Sequence, residues 1–522
     1  SLWLVQDENG SLARGHYLRG PGGKVEPVGL GSGGEDLEAR GRWVGPGGRV
    51  VFTSDVPLEQ GAPPSGTTAV YERMPGGPTR VVSLLPGETP LSGGESAEYL
   101  GVAAGGGAVA FGAGGHIYAR VAAAKTVDVV AGAATYGGTS SDGGHVFYEL
   151  GGDVFAFDTG TGTTTKVGSG GQSTMVNVSA DGSHVYFVSP SVLTGGEANS
   201  QGGKAAAGKE NLYAWDAAGD TVRFVATVEE GDVLGEAPPA GGANAPLGGL
   251  GMWTDNAVNP SQGRFRGPAN DPSRSSADGS ILVFESRAQL TDYANRGHSE
   301  IYRYVAAGGE LNCVSCSPTE APASTDARLV ARYAPLLSST PPVNAISQVQ
   351  NIADGGQVVF FQSAERLAAQ DVDGRIDVYE WKAPGVDGCG RPLGCVFLIS
   401  GGRSAGDDYF YGATPDATTV FFFSGDQLVP QDRDSTPSLY AARIGGGYPP
   451  PPQAPPACLG DACQPTVIPP PDPPIASSNA GPPKRKRCLH AGPRRPGAQK
   501  SPCRTRHRHH GKHRRSKDGG RQ

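Results

Sequence analysis

Between Asp371 and Asp377 the chain reads Asp-Val-Asp-Gly-Arg-Ile-Asp, three carboxylates spaced around a glycine. Oxygen ligands set about a bend that glycine permits resemble the opening of a calcium loop. Asp432-Arg433-Asp434 repeats part of the pattern further on. Neither copy is followed by the acidic residue that closes an EF-hand, and Asp and Gly are equally the residues of ordinary turns. Two readings stand. Asp371, Asp373 and Asp377 belong to a solvated turn and no cofactor is expected, or they hold calcium.

The eight cysteines fall in close pairs: Cys313/Cys316, Cys389/Cys395, Cys458/Cys463 and Cys488/Cys503. An even count in local pairs suits disulfides formed outside the cytoplasm. The rival is a zinc site of Cys313, Cys316, Cys389 and Cys395, although only the first pair has the short spacing of a zinc knuckle. Free thiols are the third reading.

Other matches to reactive motifs lack their context. Gly402-Arg403-Ser404-Ala405-Gly406 fits the G-x-S-x-G elbow, but that serine needs a parallel strand before it and a helix after it. Here a further β hairpin follows. Gly29–Gly34 satisfies G-x-G-x-x-G with no βαβ unit around it, in a chain with 81 glycines. His116, His145, His184 and His298 stand singly and form no metal-binding pattern. Trp215, with its following Asp216, reads as an indole packed between sheets.

Charge divides the chain sharply. From Lys484 to Gln522 there are 15 Lys/Arg and one acid, with five histidines; the preceding 483 residues carry 29 bases and 50 acids. A body of net charge −21 therefore bears a tail of +14. Lys484, Arg485, Lys486, Arg487, Arg504, Arg506, Arg508, Lys512, Arg514 and Arg515 would bind a polyanion through counterion release. The tail has no stacking aromatics, so sequence-specific nucleic-acid reading is not expected. Between body and tail, residues 445–483 form a proline-rich stalk containing Cys458 and Cys463. The reading is a folded region 1–444, a stalk 445–483 and a disordered basic end 484–522.

What positions these groups is a repeat. "VSADGSHVYFVS" at Val178–Ser189 returns as "SSADGSILVFES" at Ser275–Ser286, "NIADGGQVVFFQS" at Asn351–Ser363 and "ATPDATTVFFFS" at Ala413–Ser424. Asp-Gly between β-branched and aromatic runs predicts a hairpin with a type I′ turn. Each copy precedes a second hairpin signature, as in "NLYAWDAAGDTVRFVAT" from Asn211. The aromatic of that signature, at Tyr71, Tyr118, Phe155, Tyr302, Tyr379 and Tyr440, is expected in the core. Two hairpins per unit give a four-stranded antiparallel sheet, and its recurrence predicts an all-β fold, a β-propeller. Seven blades are expected, near 42–84, 99–131, 135–168, 175–228, 273–317, 348–401 and 408–444, with residues 1–31 closing the last. Eight is the alternative, if residues 1–31 form a truncated blade of their own. No apolar run is long enough to span a membrane as a helix.

"SADGSHVYFVS…NLYAWDAAG" is similar to the WD-like repeat of TolB-type propellers. "LNCVSCSPTEAPAS" at Leu311–Ser324, "QLVPQDRDSTPSLYAARIGGGYPPPP" at Gln427–Pro452 and "PPACLGDACQP" at Pro455–Pro465 resemble exported propeller proteins of high-GC actinobacteria. The resemblance implies a propeller and an export route, and little about activity. The chain begins at Ser1 rather than Met, so an export signal is expected to have been removed or to lie outside this sequence. The expected function is a monomeric extracellular or cell-wall binding and scaffold module, tethered by its tail to anionic surface polymers or docked on another envelope protein. The alternative is a propeller enzyme, a hydrolase, lyase or dehydrogenase with its site in the central channel.

Overall fold

The computed structural model describes residues 2–6, 12–19, 24–168, 172–234, 258–259, 264–265, 273–329, 350–353, 355–434 and 436–447. The chain divides into units Ser1–Tyr448 and Pro449–Gln522, and every described residue belongs to the first. Among the described residues, one short α-helix, Glu230–Leu234, and two 3-10 turns, Pro46–Gly48 and Val386–Gly388, interrupt an otherwise all-β order of elements.

Eight successive antiparallel sheets, here blades 1 to 8, are each built from strands consecutive in the chain. Blade 1 contains Leu2–Gln6, Leu12–Arg19 and Val25–Pro27; blade 2 contains Arg40–Val44, Val50–Ser54, Ala69–Arg73 and Arg80–Val81. Blade 3 spans Glu98–Val102 to Lys125–Ala131, blade 4 Thr135–Thr139 to Thr164–Gly168, and blade 5 Thr174–Val178 to Thr221–Thr227. Blade 6 runs through Ser273–Ser275, Ile281–Ser286, Glu300–Val305 and Glu310–Cys313; blade 7 through Ala327–Arg328, Val358–Ser363, Asp377–Lys382 and Cys395–Leu398. Blade 8 has Tyr409–Ala413, Thr419–Ser424 and Ser438–Arg443. Repeated four-stranded meanders packed face to face define a β-propeller.

The core lies between blades. Val358, Phe360 and Val378 of blade 7 pack with Phe410, Val420, Phe422 and Tyr440 of blade 8, and Leu18 and Val28 of blade 1 with Val50 and Phe52 of blade 2. Each adjacent pair from 1/2 to 7/8 shares such a cluster. The strands are nearly continuous apolar runs because both of their faces meet a neighbour.

Two expectations are corrected. The hairpin from Tyr17 exists, but Val25–Pro27 pairs with Leu12–Arg19, which pairs in turn with Leu2–Gln6. Among the described residues, nothing from 1–31 pairs with 409–444, so the N-terminal strands form their own blade and the count is eight. Blade 8 keeps three strands and leaves Tyr411, Leu439 and Ile444 more than half exposed. A hairpin's residues encode its turn; the sheet edge it joins is fixed by packing elsewhere.

The second correction is the Asp-Gly turn. Gly143, Gly182 and Gly279 donate to the carbonyls of Ser140, Ser179 and Ser276, with only the glycine at positive φ. Asp142, Asp181 and Asp278 therefore sit at the third position of a type I turn, since a type I′ turn needs positive φ at both central residues. The preceding serine decides this. Ser140 Oγ donates to Asp142 at 2.6 Å, and Asp142 accepts from Gly144 N–H at 2.8 Å, a side-chain network that only this geometry permits. The turns also touch across blades: Gly105 N–H donates to Ser141 O, Ser141 N–H to Ala180 O and Asp181 N–H to Ala277 O.

Candidate metal centre

The register of the second and third strands places the acidic residues. In blades 2, 5, 6, 7 and 8 the second strand ends on a serine, Ser54, Ser189, Ser286, Ser363 and Ser424. Its hydroxyl accepts the N–H two residues on, as Glu365 N–H to Ser363 Oγ at 3.0 Å. A third-strand tyrosine then donates to the carbonyl of that same residue: Tyr213 to Ser191 (2.6 Å), Tyr302 to Ala288 (2.9 Å) and Tyr379 to Glu365 (2.9 Å). Tyr71 and Tyr440 do the same to Val56 and Asp426. Tyr71, Tyr302, Tyr379 and Tyr440 were legible as core and Tyr213 was not singled out; all five hydroxyls also rivet the loop that follows strand two. In blade 7 that loop carries Asp371 and Asp373, and Asp377 opens the next strand opposite Ser363.

The loop brings all three carboxylates together, with one oxygen of each within 4.8 Å of the others. Asp371 and Asp377 are buried and Asp373 is half-buried. In each, one oxygen is held by the protein. Tyr379 Oη contacts Asp371 Oδ2, and Arg375 N–H donates to Asp373 Oδ1 at 2.8 Å. Ser400 Oγ and Gly402 N–H (3.2 Å) donate to Asp377 Oδ1. The other oxygen of each, Asp371 Oδ1, Asp373 Oδ2 and Asp377 Oδ2, has no hydrogen-bond partner.

A fourth carboxylate comes from the next blade. Asp408 N–H donates to Ile376 O at 2.7 Å, and Ile376 N–H donates to Asp407 Oδ1 at 3.1 Å, which seats Asp408 beside Asp377. Asp408 is wholly buried and neither of its oxygens has a hydrogen-bond partner. Burial, then the charge of Asp377 and Asp426, pushes its carboxyl up to about 7; Ser424 and Gly401 face it short of hydrogen-bonding geometry and oppose the rise. Burial, with Asp373 and Asp371, likewise raises Asp377 to about 6. No ion pair among the described residues involves any of the four.

The apparent nucleophile elbow serves this loop. Gly402 has φ +64° and lies so close that a Cβ there would meet the Asp371 Cα at 2.9 Å, while Val372 N–H donates to Gly402 O. Ser404 lies between strands and accepts from Gly406 N–H at 3.3 Å. Gly29–Gly34 is a loop in which Gly31 N–H bonds Glu35 O.

The histidines remain separate. His116 faces Asp128 (3.0 Å), His145 faces Asp158 (3.9 Å) and His298 faces Asp326 (3.3 Å), while His184 contacts Asp278 O (3.0 Å). A cleft of about 260 Å³ in blade 3 is lined by Glu98, His116 and Tyr136, with the Glu98 carboxyl raised by burial. Trp215 packs between blades 4 and 5, its indole N–H on Asp220 at 2.9 Å.

Cys313–Cys316 and Cys389–Cys395 are disulfides, with Cα separations of 5.6 and 5.7 Å. Their sulfurs offer no thiolate, so Glu300 beside Cys313 and Cys316 is not a ligand set in this oxidised form. Cys458, Cys463, Cys488, Cys503 and the basic tail lie outside the described residues.

No family model matches the chain, and no curated protein matches it in sequence. Solved structures similar to it include the tricorn protease (12% identity, 82% of this chain and 31% of that one, TM-score 0.27). TolB from Acinetobacter baumannii is similar at 12% identity over 63% of this chain and 57% of its own, TM-score 0.26. An oligogalacturonate lyase from Vibrio parahaemolyticus is similar at 10% identity over 85% and 97%, TM-score 0.33. The chain thus spans well under two thirds of the first two. The propeller assignment rests on the sheets themselves.

Proposed function

We propose that the protein is an exported, envelope-associated propeller that acts as a binding and scaffold module, held at an anionic surface by its basic tail. The observation that carries the reading is the division of charge, −21 over 483 residues against +14 over the last 39. An acidic body is repelled by anionic polymers, so attachment falls to the tail, through Coulomb forces that weaken steeply with salt. Two short-loop disulfides within blades support an oxidising compartment, and no helix among the described residues is long and apolar enough to cross a membrane. The finer assignment, to the exported actinobacterial propellers that the sequence resembles, belongs to this proposal.

The test compares the full chain with a chain ending at Pro483 on cell walls and on vesicles rich in anionic lipid. The full chain is expected to bind at low salt and to be released by about 0.5 M salt; the shortened chain is expected to stay in solution with its thermal unfolding unchanged. Retention of the shortened chain would move the attachment site to the propeller and overturn the tether.

A further inference from the structure

We infer that Asp371, Asp373 and Asp377 form a calcium site in the loop between the second and third strands of blade 7. The argument starts from what the protein leaves undone. In each blade 7 carboxylate one oxygen is oriented by a donor of the protein and the other is left bare. That is the arrangement of metal ligands fixed by an outer shell.

Three carboxylates in one place demand a counter-charge. Buried polar atoms are normally hydrogen-bonded, and each exception calls for an explanation such as an ion. No Lys or Arg pairs with these groups among the described residues, and the half-exposed Asp373 leaves a way in. The donor set is all oxygen, with neither imidazole nor thiolate, which favours a hard cation over zinc or copper. Ligands from a loop and the strand that follows it suit the larger, irregular shell of calcium better than the strict octahedron of magnesium.

The experiment uses the full chain. Terbium luminescence, sensitised through Tyr379, is titrated and then competed with calcium and magnesium, and unfolding is followed with calcium or with EGTA. Expected are one terbium per chain, displacement by calcium at least tenfold better than by magnesium, and a rise in Tm of about 3 °C with calcium. Asp371→Asn and Asp377→Asn are each expected to weaken binding at least tenfold and to lose the Tm increment. In EGTA these variants should be no less stable than the wild type, because each removes like-charge repulsion; this separates a lost ligand from a lost fold. Absence of saturable binding by the wild type would overturn the site. So would binding that both variants retain.

Discussion

Blades 7 and 8 carry the same loop on the same frame: Tyr379 and Tyr440 donate to the Glu365 and Asp426 carbonyls, and each hydroxyl also reaches an aspartate, Asp371 or Asp432. Asp432 and Asp434 occupy the places of Asp371 and Asp373. The difference lies at the strand start, where Asp377 opposite Ser363 is replaced by Ser438 opposite Ser424. In blade 8 the Tyr440 hydroxyl holds Asp432 below the usual carboxylate range, and Asp434 is exposed. In blade 7 a fourth strand and the following blade cover the loop, so Asp377 is raised instead. One motif is an ordinary turn where solvent reaches it and a buried acidic cluster where packing closes over it.

The contrast breaks most visibly at glycine. Gly402 combines φ +64° with backbone at 2.9 Å from any added Cβ, so Gly402→Ala should cost about 3 kcal/mol. Gly445 after the last strand of blade 8 has φ +82° but open space, and Gly445→Ala should cost about 1 kcal/mol. Equal losses in urea unfolding would show that the close approach over Asp371 is not rigid.

A buried acid at the same register outside that cluster sharpens the comparison. Glu300 of blade 6 faces Ser286 as Asp377 faces Ser363, and burial raises it to about 7 from 4.5, partly opposed by Ser315. A raised acid contributes fully below pH 4.5 and loses that contribution as pH rises through 7. Glu300→Gln should therefore match the wild type at pH 4.5 and exceed it at pH 8 by on the order of 2 kcal/mol. A gain that is the same at both pH values would point to packing rather than charge.

The smallest expected effect is at the first turn of blade 8, where Ala417 takes the φ of +57° that Gly356 takes at +62° in blade 7. Ala417→Gly should stabilise by about 0.5 kcal/mol, relief of strain being offset by chain entropy. Gly356→Ala should destabilise, since a Cβ there would lie 2.7 Å from the Ile281 side chain. Differential scanning calorimetry resolves the two signs, and a loss on Ala417→Gly would contradict this account.

The repeats made the blades legible because each strand buries both faces and each turn is written in local residues. The disulfide pairs were legible from spacing for the same local reason. Legibility failed wherever a partner came from elsewhere. Asp371, Asp373 and Asp377 marked themselves through their own spacing, yet Asp408, the buried carboxylate that the next blade seats beside Asp377, follows a serine-glycine loop and carries no such pattern. The destination of the hairpin from Tyr17 was equally unwritten, because its edge strand, Leu2–Gln6, shares no motif with it. The terminal serines of second strands were visible in the repeat as "VYFVS", "LVFES" and "VFFFS"; their pairing with the tyrosine hydroxyls supplies the missing reason.

Because every sheet is closed by strands consecutive in the chain, folding need not wait for distant segments to meet. A chain emerging from one end can complete each blade in turn on the template of the last, with loop closure the main entropic barrier. That barrier is uneven. Most first and second strands are separated by a tight turn, but in blade 7 Ala327–Arg328 and Val358–Ser363 flank a much longer connection. Blade 7 nonetheless keeps a tight turn of its own, where Ile352 bridges Val359 and Gly356 N–H donates to Ala353 O, so its central hairpin can form locally before the long connection closes.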